Sequence, residues 1–159
     1  MPVLEPLALK AALPPNRRLL GLDVGDKTIG LAISDGSLTV ASPLETIRRG
    51  KFAQDARRIA AICAERRVGG FVVGLPVDMQ GGEGRRCQSV RQFAANLLAR
   101  IDLPLAFWDE RLSTAAVTRA MLEADLSRAR RGRAVDKAAA AYILQGLLDR
   151  LAAAAGKAP

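Results

Sequence analysis

Apolar and polar positions follow two different rhythms along this chain, and the changes between them mark out its elements. Three runs come first, Leu19 to Val24, Thr28 to Ser34 and the stretch around Val40 to Arg48, separated by Gly-Asp and Asp-Gly-Ser turn signals. They predict an antiparallel meander. The spacing then becomes helical: Phe52, Ala56, Ile59, Ala60 and Cys63 recur on one side of a segment from Phe52 to Arg67, leaving Arg57, Arg58, Arg66 and Arg67 for the other. Gly69 to Pro76 is a short apolar run bounded by glycines and a proline, as expected of a strand buried on both faces in a parallel region. Beyond the glycine-rich Gly81 to Gly84, the residues Val90, Phe93, Leu97 and Ile101 make the stripe of a second helix over Arg86 to Ile101. Pro104 to Trp108 predicts a fifth strand. Ser113 is the candidate N-cap of a third helix through Leu122, and Asp136 is expected to open a final helix to about Leu151.

Three hairpin-linked strands followed by alternating helices and strands predict an α/β fold. Its mixed five-stranded sheet has three antiparallel strands, then parallel ones, with helices on both faces. Half of the 159 residues are hydrophobic, enough for one domain with its own core, expected over 18–152. A flexible arm is expected over 1–17 and a frayed tail over 153–159. No run approaches the roughly 18 apolar residues of a membrane span, and the first residues lack the pattern of a signal peptide. The expectation is a cytoplasmic protein with no membrane partner, a monomer or a homodimer.

Charge narrows the chemistry. Lys and Arg number 24 against 16 Asp and Glu, a formal net charge of +8, which points to a polyanionic partner, nucleic acid first among them. Histidine is absent, which removes the commonest general base, the Ser-His-Asp and Cys-His arrangements and every His-containing zinc site. Carboxylates remain as the strong ligands for a hard metal. Cys63 and Cys87 lack metal-ligand spacing and read as small buried thiols. Asp23 sits inside the first strand, where an ionised carboxylate is costly unless a positive charge compensates it, and a bound metal ion is the simplest candidate. Taken alone, Asp136 reads as a helix cap and Asp109-Glu110-Arg111 as an exposed turn with a salt bridge. On a helical wheel, however, Asp136 shares the sheet-facing side with Ala140, Ile143 and Leu147. The run Arg128-Ala-Arg-Arg-Gly-Arg133 directly precedes it and predicts a phosphate-binding loop. Lys27 either solvates the first hairpin or approaches a phosphate. Gly81-Gly82-Glu83-Gly84 lacks the Lys-Ser/Thr ending of a nucleotide-binding loop, so a mobile loop on the substrate side is the better expectation. Aromatic residues are too few for base-stacking platforms, so recognition by backbone and shape is expected.

Four blocks together carry a family resemblance. They are Gly21-Leu-Asp-Val-Gly-Asp-Lys-Thr-Ile-Gly-Leu-Ala-Ile-Ser-Asp35, Gly74-Leu-Pro-Val-Asp-Met-Gln-Gly-Gly82, Asp109-Glu-Arg-Leu-Ser-Thr114 and Asp136-Lys-Ala-Ala-Ala-Ala-Tyr-Ile-Leu-Gln145. From Arg18 to Leu151 the chain resembles the YqgF family of pre-16S rRNA nucleases and Holliday-junction resolvases, which has the ribonuclease H-like fold. The resemblance implies a metal-dependent endonuclease whose ligands are Asp23, Glu110 and Asp136, with Asp109 in reserve for Glu110. Mg2+ or Mn2+ suits three mutually repelling carboxylates, and two such ions hydrolyse phosphodiesters without histidine. The implied substrate is structured RNA, the 5′ end of precursor 16S rRNA above all, or branched DNA such as a four-way junction. Nucleic-acid contacts are expected from Lys27, Arg111, Arg128, Arg130, Arg131, Arg133 and Lys137. Related nucleases place an acid at the end of the fourth strand, where this chain has Gly74-Leu75-Pro76. That departure keeps open a noncatalytic nucleic-acid-binding module.

Overall fold

The structure, a computed structural model, describes residues 3–78, 80–112 and 128–156, the last stretch with side chains from Asp136 onward. Strands β1 (Arg18–Val24), β2 (Thr28–Ser34), β3 (Ala41–Arg48), β4 (Val68–Leu75) and β5 (Leu105–Asp109) form one sheet in the order β3-β2-β1-β4-β5. β1, β2 and β3 pair antiparallel, while β4 runs parallel to β1 and β5 parallel to β4. The helices are α1 (Pro6–Ala12), α2 (Phe52–Arg66), α3 (Arg85–Leu98) and α4 (Arg128–Gly156). The helix expected from Ser113 to Leu122 lies outside the described residues.

Alternation along the strands divides the core between two faces. Leu20, Leu22, Val24, Phe71 and Val73 pack with the apolar sides of α2 and α3, whereas Leu19, Ala32, Val72, Ala106 and Trp108 pack under α4. β4 is buried along its whole length, as its unbroken apolar run requires. In α2, Ala56, Ile59 and Cys63 are buried as the stripe requires, but Ala60 faces solvent and Asp55 takes a buried place. The Asp55 carboxylate accepts the backbone N–H of Gly50 at 3.2 Å, which satisfies a donor just ahead of the helix.

Two segments depart from expectation. The first residues are not a loose arm: α1 starts with Pro6 in its first turn, and Leu9 is fully buried in the α4-side cluster. Gly70 makes room for it, since a Cβ there would lie 3.1 Å from Leu9 Cδ1. Leu4 N–H donates to the Leu105 carbonyl at 2.8 Å, tying this segment to β5. A helix this short gives little periodic signal of its own and exists through that packing. The last helix already includes Arg128, so the arginine run is helical backbone rather than a loop, and Asp136 is no cap. Arg and Ala are strong helix formers, and one glycine in the run, Gly132, costs only about 1 kcal/mol.

Candidate active site

The sheet geometry gathers the acidic residues at one level, beneath the first described side chains of α4. In β1, Leu20, Leu22 and Val24 point toward α2 and α3, so Leu19, Gly21 and Asp23 point toward α4. Asp23 is 7% exposed. Its partner across β1 and β2 is Gly30. That glycine lies within β2, while the hairpin turn is closed by Gly25 N–H donating to the Thr28 carbonyl at 2.9 Å. What Gly30 provides is proximity: a Cβ there would fall inside contact distance of the Asp136 carbonyl, so the α4 backbone rests on the bare strand. Gly21 does the same one register along, where a Cβ would sit 2.8 Å from Leu144 Cβ. Ala139 and Ala140 complete a small-residue face that lets helix and sheet approach closely. Two glycines and an alanine run thus bring Asp136 alongside Asp23.

Thr28 then fixes the Asp136 side chain, its hydroxyl donating to Oδ2 at 2.5 Å. Thr28 was legible only as a strand former beside a turn; its bond joins residues 108 positions apart, which local pattern cannot reveal. Asp136 itself is half-buried, and Ala140, Ile143 and Leu147 on its side of α4 are fully buried against the sheet.

Asp109 and Glu110 part company at the end of β5. Gly74 pairs with Trp108 and Leu75 with Asp109, and Trp108 belongs to the α4-side cluster, so Asp109 faces the α3 side. There Arg111 holds it: Nη2 donates to Oδ2 at 2.6 Å, and the Arg111 backbone N–H donates to Oδ1 at 2.9 Å. The guanidinium keeps the Asp109 carboxyl below the ordinary carboxylate range. A single 3-10 turn over Glu110–Leu112 carries Glu110 the other way. Its Oε1 lies 2.9 Å from where a Gly74 Cβ would be, beside Ile143 of α4. Gly74 follows Val73, the partner of Leu22, and therefore flanks Asp23 on the side opposite Gly30. Asp23 sits between two residues without side chains: α4 occupies the space over one, and Glu110 reaches the space over the other.

The donor set is all oxygen, which suits a hard divalent cation and no softer metal. Among the described residues no three His, Cys, Asp or Glu side chains are drawn together tightly enough to hold a metal as they stand. Both cysteines are buried, and burial pushes the Cys63 thiol up to about 12, so neither is poised as a nucleophile.

Of the expected basic contacts, Lys27 is exposed at the hairpin turn and Lys137 is half-buried next to Asp136. Arg111 is exposed, with Nη1 directed toward Gly81 at 3.9 Å from the position of a Cβ there. The backbone of Arg128, Arg130, Arg131 and Arg133 lies in α4; their side chains lie outside the described residues. The glycine loop is closed on itself, since Asp78 Oδ1 accepts the N–H groups of Gln80 at 2.9 Å and Gly82 at 2.7 Å. Those donors are spent on Asp78 and do not cradle a phosphate.

Sheet order and strand directions, with helices on both faces, define a ribonuclease H-like α/β protein. The fold recurs in RuvC of Thermus thermophilus in complex with a Holliday junction substrate, with a TM-score of 0.54 at 15% identity over 87% of this chain and 96% of that one. It recurs also in the yeast mitochondrial Holliday junction resolvase Ydc2, with a TM-score of 0.54 at 11% identity over 94% of this chain and 85% of that one. Residues 17–150 match the family described as RuvX, Holliday junction resolvase, and the chain belongs to that family. A relative in Paramagnetospirillum magneticum, named "Putative pre-16S rRNA nuclease", is 64% identical over 94% of this chain and 96% of its own length. One of the same name in Roseobacter denitrificans is 61% identical over 89% of this chain and 88% of its own length.

Proposed function

We propose that this chain is a metal-dependent endonuclease that hydrolyses phosphodiester bonds in structured nucleic acid, with the 5′ end of precursor 16S rRNA as its substrate. Family membership and the names of its relatives support the nuclease class. The observation that carries the site is the placement of Asp23 between Gly30 and Gly74, with Asp136 delivered over one and Glu110 over the other. Asp23, Glu110 and Asp136 would hold Mg2+ or Mn2+, which when bound supplies a water acidic enough to attack a phosphodiester and charge to stabilise the leaving oxygen.

The chain's own residues do the rest. Thr28 donates to Asp136 and fixes the direction of its remaining lone pairs. Glu110 supplies the carboxylate that related nucleases carry on the fourth strand, reaching the space over Gly74 that it shares with Ile143. Asp109, turned to the other side, holds Arg111 for contact with the sugar-phosphate backbone rather than binding metal. Lys27, in the β1–β2 turn, and Lys137, next to Asp136, bring positive charge to the site, where each neutralised phosphate releases counterions. A second substrate, the four-way DNA junction, is favoured by the family description itself.

The test offers purified protein a precursor 16S rRNA fragment, a four-way DNA junction and plain duplexes, each with Mg2+, Mn2+ or chelator. Metal-dependent cleavage of the RNA at a defined 5′ position is expected. Cleavage of the junction alone would move the substrate to branched DNA. Binding without cleavage under every metal would leave a noncatalytic module.

A further inference from the structure

Adjacent arginines at the end of β3 have opposite fates. Arg49 is committed: its Nη1 donates to the Gly25 carbonyl at 2.6 Å, its guanidinium lies 5.3 Å from the Phe93 ring centroid, and its N–H donates to the Lys27 carbonyl at 2.9 Å. These contacts pin the β1–β2 turn against α3. Arg48 alternates to the other face. Its register partner is Thr28, whereas the preceding Ile47 pairs with Ile29 in the α2 and α3 cluster. Arg48 therefore stands directly across from the threonine that holds Asp136, on the α4 side, and it is exposed. Lys27, equally exposed, precedes Thr28 and is held next to β3 by the Arg49 bond. Arg58, Arg91 and Arg111 each engage a carboxylate at 2.6 Å; among the described residues neither Lys27 nor Arg48 forms an ion pair.

We infer that Arg48 and Lys27 form a phosphate-binding clamp on the β3 side of the carboxylates, taking the sugar-phosphate backbone of one nucleic-acid strand as it leaves the scissile position. The inference rests on the nuclease reading and gives its substrate a direction. The backbone crosses the strand ends from β3 to β5, with Arg111 and the glycine loop on the far side. Arg48 lies on the second strand from Asp23 and two residues along in register, roughly 12 Å away between backbones at the usual strand spacing and rise. That span covers only a few nucleotides of one strand, so the clamped phosphate is a near neighbour of the cleaved one. Lys27 lies in the turn just before β2, outside the strand's alternation, and its four-carbon stem lets the ammonium reach a phosphate that the Arg48 guanidinium binds from β3.

Equilibrium binding of a four-way DNA junction and of a precursor 16S rRNA fragment, in chelator from low to moderate salt, tests the clamp without turnover. The comparison is between wild type, the double variant Arg48→Ala/Lys27→Ala, and the control Lys10→Ala/Arg66→Ala, which removes equal charge from exposed positions on α1 and at the far end of α2. The clamp variant should flatten the slope of log affinity against log salt by about 0.7 to 0.9 per lost contact on both ligands. The control should keep the wild-type slope. Arg48→Lys with Lys27 intact should restore most of the slope, because an ammonium still neutralises a phosphate. A clamp variant with the wild-type slope, or a control that loses as much, overturns the clamp while leaving the nuclease reading standing. Wild-type protein that neither binds nor cleaves either ligand overturns the nuclease reading, and the clamp with it.

Discussion

Asp109 and Glu110 are adjacent in sequence and oppositely employed, and substitutions should separate them. Glu110→Gln removes a charged oxygen from the site and should lower kcat by more than the roughly 10–100-fold that follows loss of a residue supporting a metal ligand. Asp109→Asn frees Arg111 from its carboxylate and should raise KM with kcat nearly intact, since it touches binding and not the reacting atoms. Single-turnover and steady-state kinetics on one cleaved substrate distinguish the two; the opposite ranking would make Asp109 the ligand. Thr28→Val keeps shape while deleting the hydroxyl that orients Asp136, and should cost about 10–100-fold in activity. Raising the metal concentration should recover part of that loss, and failure to recover any would mean that Thr28 acts other than through Asp136. The sequence singled out Asp23 as a charge inside an apolar strand and Asp136 by the sheet-facing side of its helix, whereas Glu110, in a stretch that reads locally as an exposed turn, was singled out only by the family resemblance. Thr28 and Arg48 did not stand out, because their roles exist only across strand pairs and between segments far apart in the chain.

At the scale of elements, the site depends on how closely α4 lies on the sheet. Gly30→Ala would drive a Cβ into a helix carbonyl, and a backbone atom cannot rotate away as a side chain can. It should destabilise the fold by about 1–3 kcal/mol, in the range of overpacked cores, and lower activity by displacing Asp136. Gly36→Ala, with nothing within 4 Å of the added carbon, should leave the urea midpoint unchanged. A midpoint equally unmoved in Gly30→Ala would show that α4 does not rest on β2 at this point. Hydrophobic rhythm revealed all five strands, α2 and α3, because each buries a face whose period is its own. It misplaced the opening of α4, where the arginines have no apolar period, and it overlooked α1, which buries essentially one residue, Leu9. Nothing near Gly30 in sequence announces the helix that lies on it.

For the whole molecule, the charge excess, the missing histidine and the acidic strand ends describe one economy: cations gather the polyanion and carboxylates gather the metal. The Asp23→Asn variant tests that division most directly, since its side chain is central to the site and nearly the same shape. Cleavage of a precursor 16S rRNA fragment or a four-way DNA junction in Mg2+ or Mn2+, measured beside affinity for the same molecule in chelator, separates chemistry from binding. Asp23→Asn is expected to abolish cleavage while leaving affinity equal or higher, because it removes metal-binding charge and local repulsion of phosphate together. Cleavage by the pure variant at the wild-type rate would contradict the assignment of Asp23, and with it the site built around Gly30 and Gly74.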